Sequence, residues 1–219
     1  MVLVGPCRRD LYRGTFARNA TQSVDFNHSG ATPMRKLLLL CGLAASSTSA
    51  AEVQEKLVYG HYDAEASPGR SLAAILNDSS PYRPSGQVFH SNTSWNVDWK
   101  FQSMTLPDGR CKIVRVITQL SGEIDLPRLL GAERPLKEQF ETYLAALRVH
   151  ELGHYAIGKQ AAIAVDGKLL ALPVMSNCDA LESAARDLGA RVLGEYEAKG
   201  IQYDVDTGHG KTQGAWLGD

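Results

Sequence analysis

From Leu136 to Val165 the apolar and small residues recur with the period of a helix. Leu136, Phe140, Tyr143, Leu144, Leu147, Gly158, Ala161, Ala162 and Val165 share a stripe about 120° wide, with Lys137, Glu138, Glu141, Arg148 and Lys159 on the opposite side. This predicts a long amphipathic helix that buries one face. Pro135 suits its first turn, the periodicity carries it to about Leu170, and Pro173 ends it. Three residues on the stripe are foreign to an apolar core: His150, Glu151 and His154, in the run His150-Glu151-Leu152-Gly153-His154. Two histidines four apart present their rings from one side of a helix. A buried ionisable trio is costly unless it is paired or binds a metal. The spacing suits two ligands of a tetrahedral Zn2+, with Glu151 placed to move a proton.

A second long helix is expected from an N-cap at Asp179 to about Lys199, with Gly200 as its terminator. Leu181, Ala185, Leu188, Val192 and Tyr196 form its apolar face, which should pack on the first helix. Upstream the period falls to two. Glu55 to Ala64 reads as a strand and Ser71 to Asn77 as a short helix. Gln87 to Met104 reads as one or two strands, with Trp95, Val97 and Trp99 on one face. Pro107-Asp108-Gly109 marks a turn, and the Val- and Ile-rich segment from Arg110 to Leu126 should pair back, with Pro127 closing the sheet. The expected fold is α+β: an N-terminal antiparallel sheet followed by two long packed helices. Trp95 and Trp99 are read as core residues, and His61 and His90 as strand or loop residues without special chemistry.

The start of the chain reads as a targeting segment. Met34-Arg35-Lys36, the apolar run from Leu37 to Ala45 and the small residues from Ser46 to Ala51 make residues 34–51 a signal peptide cleaved after Ala50 or Ala51. The apolar run is too short for a stable membrane span. Residues 1–33 show no hydrophobic period and read as a non-native upstream extension, leaving 52–219 as a single domain. Periplasmic or secreted localisation follows. The chain holds 23 Lys+Arg and 24 Asp+Glu, of which residues 1–50 take six and two. The remaining 17 against 22 give a net charge of −5, which offers no basic surface for nucleic acid. Beyond residue 51 only Cys111 and Cys178 remain, and in an oxidising compartment such a pair is expected to be bridged.

A catalytic zinc needs a third protein ligand. The pattern that adds Gly and His at fixed steps after the second histidine fails, because those steps land on Ile157 and Gln160. Glu182 and Glu195 on the following helix are candidates, and so is His209, flanked by Gly208 and Gly210, which allow tight turns. The residues alone leave these three open. Tyr203, Tyr155 and Lys211 are the nearest donors for an oxyanion, Tyr203 ranked first. Asp204 or Asp206 has the chemistry to hold the second nitrogen of a ligand histidine.

Several stretches together resemble a bacterial family of predicted secreted zinc-dependent proteases, long known as a domain of unknown function. They are Thr93-Ser94-Trp95-Asn96-Val97-Asp98-Trp99, Cys111, Leu126-Pro127, the segment around His150 to His154, Cys178, Tyr203-Asp204 and Thr207-Gly208-His209-Gly210. The resemblance spans nearly all of residues 57–215. It implies a peptidase-like activity and puts His209 ahead of Glu182 and Glu195 as third zinc ligand; from that ligand set Glu151 is the expected general base, and the expected substrate is a peptide or protein. The alternative is a zinc-stabilised binding or inhibitory module that cleaves nothing.

Overall fold

A computed structural model describes residues 53–218. The proposed upstream extension and signal peptide lie outside the described residues. Three strands form one sheet: β1 (Val53–Glu65), β2 (Asn92–Thr105) and β3 (Cys111–Leu130). A short helix, α1 (Leu72–Ser79), follows β1; the Ser71 side chain caps it by accepting from the Ala74 amide. Two long helices complete the chain, α2 (Arg134–Leu170) and α3 (Cys178–Thr207).

The fold is α+β, as expected, but the sheet is mixed. β2 and β3 pair antiparallel across the turn in which Gly109 takes a φ of +83°, whereas β1 runs parallel to β3, in the order β1-β3-β2. The middle position goes to the strand best able to be covered on both edges: β3 buries Ile113, Val116, Leu120, Ile124 and Leu126. β3 also continues past Pro127 to Leu130. Its last partner on β2 is Asn92, opposite Asp125, so at Pro127 only β1 remains alongside. One edge there needs no backbone donor, and the proline is tolerated.

The buried face of α2 matches the predicted stripe from Phe140 to Val165, including His150, Glu151 and His154. The N-cap of α3 is Asn177 rather than Asp179, its side chain accepting from the Ala180 amide at 2.8 Å. The helix also runs through the expected stop. Gly200 is buried inside it, and two further turns end at Gly208 with a left-handed φ of +55°. Asp204 and Thr207 continue the buried face beyond Gly200 with Tyr203 half-buried beside them, and their contacts with α2 outweigh the glycine's weak helix propensity. Two apolar clusters flank the middle of α2. One gathers Leu72, Leu76, Ile124, Leu126, Phe140 and Leu147; the other Trp99, Leu120, Ala161, Val165, Leu181 and Val192. The three ionisable residues of α2 fall at the seam between them.

Candidate metal centre

The helical spacing brings the His150 and His154 Nε2 atoms to 3.2 Å from one another. Because α3 stays helical past Gly200, it aims a carboxylate at the same point. Asp204 Oδ1 lies 2.9 Å from His154 Nε2 and 3.2 Å from His150 Nε2. The two imidazoles are fully buried and the Asp204 side chain is 6 % exposed. The three atoms therefore form a compact triangle of metal-ligating donors in the interior. Donors held 2.0–2.1 Å from a tetrahedral cation stand about 3.3 Å apart, close to the observed edges. The donor set of two nitrogens and one carboxylate oxygen has the chemistry to hold a divalent metal ion.

Electrostatics follow from burial opposed by close partners. Burial works against ionisation of Asp204, but hydrogen bonds from His150 and His154 outweigh it and hold the carboxyl below the usual range. Burial also disfavours protonated His150, yet the Asp204 hydrogen bond, the Glu151 charge and Gln213 leave its pKa raised. Glu151 is pushed up by burial, only partly offset by the two histidines and its hydroxyl donors. Those donors are Ser91 Oγ and Thr93 Oγ1, each 2.5 Å from one carboxylate oxygen. Glu151 is thereby anchored to the start of β2.

The other expected site residues separate. Tyr203 is at the cluster: its ring stacks on His150 at 5.0 Å and 11°, its edge neighbour is His154, and its hydroxyl donates to the His150 carbonyl at 3.3 Å. It fits there because residue 153 is glycine; a Cβ at Gly153 would stand 2.1 Å from the Tyr203 hydroxyl. The third donor atom of the triangle comes from Asp204. His209 comes next to it, with Nδ1 3.7 Å from Asp204 Oδ1, held in a left-handed conformation with φ of +52° against the edge of Phe89. Its Nδ1 is buried and, like His154 Nδ1, has no hydrogen-bond partner among the described residues.

Neither glutamate joins the triangle. Glu195 pairs with Lys168 at the surface at 3.3 Å. Glu182 sits 22 residues before Asp204, about 33 Å along the helix at 1.5 Å per residue. Tyr155 donates to Glu55 and packs over Gly122, Lys211 lies over the Trp216 ring, and Asp206 accepts from Gln202, so none of these three reaches the histidines. Cys111 and Cys178 are bridged, with Cα atoms 5.0 Å apart.

The residues that sequence reasoning did not assign are Ser91, Thr93 and Gln213, and for Asp204 it considered only a supporting role. Their signal is weak because each depends on contacts across elements. Only Asp204 had a local one, its helical phase relative to Gly200 and Thr207.

A family model covers residues 59–210, from β1 to the glycine after His209. The chain belongs to DUF922, described as a bacterial protein of unknown function. The DUF922 match contains the whole donor triangle, Glu151 with its two hydroxyl partners and the disulfide. No curated protein and no solved structure matches the chain. Among the described residues no helix is long and apolar enough to cross a membrane.

Proposed function

We propose that this protein is a secreted or periplasmic zinc-dependent peptidase in which His150, His154 and Asp204 hold the metal. The observation that carries this reading is the convergence of three buried donor atoms at 2.9–3.2 Å, one helical step from a buried glutamate. His150, His154 and Asp204 would hold the ion, which would supply Lewis acidity to activate a water near neutral pH and to polarise a carbonyl. Glu151 would accept the proton of the attacking water and return it to the leaving amine. Ser91 and Thr93 keep its carboxylate from rotating. Tyr203 stacks on the His150 ring and holds it in place. His209 Nδ1, 3.7 Å from Asp204 Oδ1, stands beside the triangle.

A second reading is a metal-stabilised module without turnover, and one observation favours it. Glu151 is fully buried with both oxygens already engaged. Glu151→Gln separates the two. In a peptidase it should keep stoichiometric zinc, measured by elemental analysis, while hydrolysis of a quenched peptide library falls by at least about a hundredfold. Zinc retained by the wild type with no cleavage of any library member would favour the module.

A further inference from the structure

We propose that Gln213, beyond the family match and outside the donor triangle, is a positioning residue that fixes how His150 presents Nε2. The inference rests on the reading of His150 as a metal ligand, but its core can be observed without metal. His150 Nδ1 lies 2.8 Å from Gln213 Oε1. An amide oxygen only accepts, so Nδ1 carries the proton and Nε2 is the nitrogen turned to Asp204 and His154. Gln213 Nε2 in turn donates to the Tyr203 hydroxyl at 2.9 Å, and that hydroxyl donates to the His150 carbonyl. The bonds close a ring: His150 imidazole to Gln213, Gln213 to Tyr203, Tyr203 to the His150 backbone. A single glutamine thus orients both the ligand and the aromatic ring stacked on it.

The tail is built to hold Gln213 in place. Gly210 and Gly214 take left-handed φ values, the Gln213 amide donates to the Gly210 carbonyl at 2.9 Å, and Ala215 is buried in the core. Thr207 Oγ1 is a second, longer contact of His150 Nδ1 at 3.4 Å, and its own proton goes to the Tyr203 carbonyl. Among the described residues His154 Nδ1 has no counterpart to Gln213, so the two histidines are not equivalent. A neutral amide is a physically sensible choice: it supplies the acceptor without adding a third carboxylate to an interior that already holds Asp204 and Glu151.

The test uses the full chain with Gln213→Leu and Gln213→Glu, read in three ways. These are the ¹⁵N-detected His150 Nδ1 proton in metal-free protein, Zn2+ affinity by chelator competition, and metal-free stability. In the wild type the Nδ1 proton should exchange slowly. Gln213→Leu should lose that protection and bind Zn2+ about tenfold more weakly or worse. Gln213→Glu, which keeps the acceptor, should restore both. Unchanged proton protection and affinity in Gln213→Leu overturn the proposal. So do equal losses in both variants that merely follow stability. If the wild type takes up no Zn2+, the metal reading fails, and the Nδ1 proton alone decides whether Gln213 orients His150. Should Gln213→Leu not fold, a rapidly exchanging Nδ1 proton in the wild type or in Gln213→Glu overturns it.

Discussion

His90, in the loop before β2, is a wholly buried imidazole. Its Nδ1 meets the Tyr143 hydroxyl at 2.9 Å and its Nε2 meets Asn77 Oδ1 at 3.0 Å. The amide oxygen requires a proton on Nε2, leaving Nδ1 to accept from Tyr143. Both nitrogens are satisfied in the neutral form. Burial pulls the pKa down to about 4 from the usual 6.5. Below 6.5 the unfolded chain therefore takes up a proton that the folded chain refuses. The contribution of His90 is complete above pH 6.5 and is lost as pH falls towards 4. Between pH 7.5 and 5 this amounts to about 2 kcal/mol. Urea titrations at the two values should show that drop, and His90→Gln should flatten it; an equal slope in the variant would refute the assignment. The contrast with His150 is one of partners: no charged group holds a proton on His90, whereas Asp204 and Glu151 do so for His150.

At the scale of elements, the helices meet the sheet and each other through glycines covered by aromatic rings. A Cβ at Gly158 would lie 2.6 Å from Trp95, one at Gly189 2.3 Å from Trp99, and one at Gly122 2.7 Å from Tyr155. Rigid indoles do not yield like the end of a lysine, so these contacts fix how closely α2 and α3 approach the strands. Two glycines of α3 make the point testable. Gly189→Ala should destabilise the protein by about 1–3 kcal/mol despite the better helix propensity of alanine. Gly194, with nothing within 4 Å of its would-be Cβ, should accept alanine with a gain of up to about 1 kcal/mol. Thermal or urea unfolding of the two variants should move in opposite directions. The sequence showed both long helices through their periodicity, because a buried stripe is a local property of the chain. It misplaced the end of α3 because Gly200 is a good terminator only where no packing continues beyond it, and Tyr203, Asp204 and Thr207 pack on α2.

For the whole molecule, the Cys111–Cys178 bridge ties the start of β3 to the start of α3 across 67 residues, a span that contains all of α2. The strand-like bond pair between Cys111 and Met175 reinforces the same junction. Closing a loop of that length stabilises the fold by about 4 kcal/mol in the chain-entropy view. Reduction, or the double change Cys111→Ala and Cys178→Ala, should lower the urea midpoint accordingly. Hydrogen exchange should show the first turns of α3 opening ahead of the turn that carries Asp204, about 39 Å away along the helix. Uniform protection along α3 after reduction would contradict this order of opening.

By itself the sequence determined the amphipathic α2 with His150, Glu151 and His154 on its buried side, the β2–β3 hairpin and the cysteine pair. Each of these is written in spacing or turn chemistry within one segment, or, for the cysteines, in there being a single pair. The tertiary structure alone decided that β1 lies parallel beside β3, that Asp204 arrives beside His150 and His154, and that Ser91, Thr93 and Gln213 make hydrogen bonds to the buried groups. Those outcomes depend on which distant segments arrive at one point and from what angle. Periodicity sets which way a side chain faces on its own element; packing sets what it finds there.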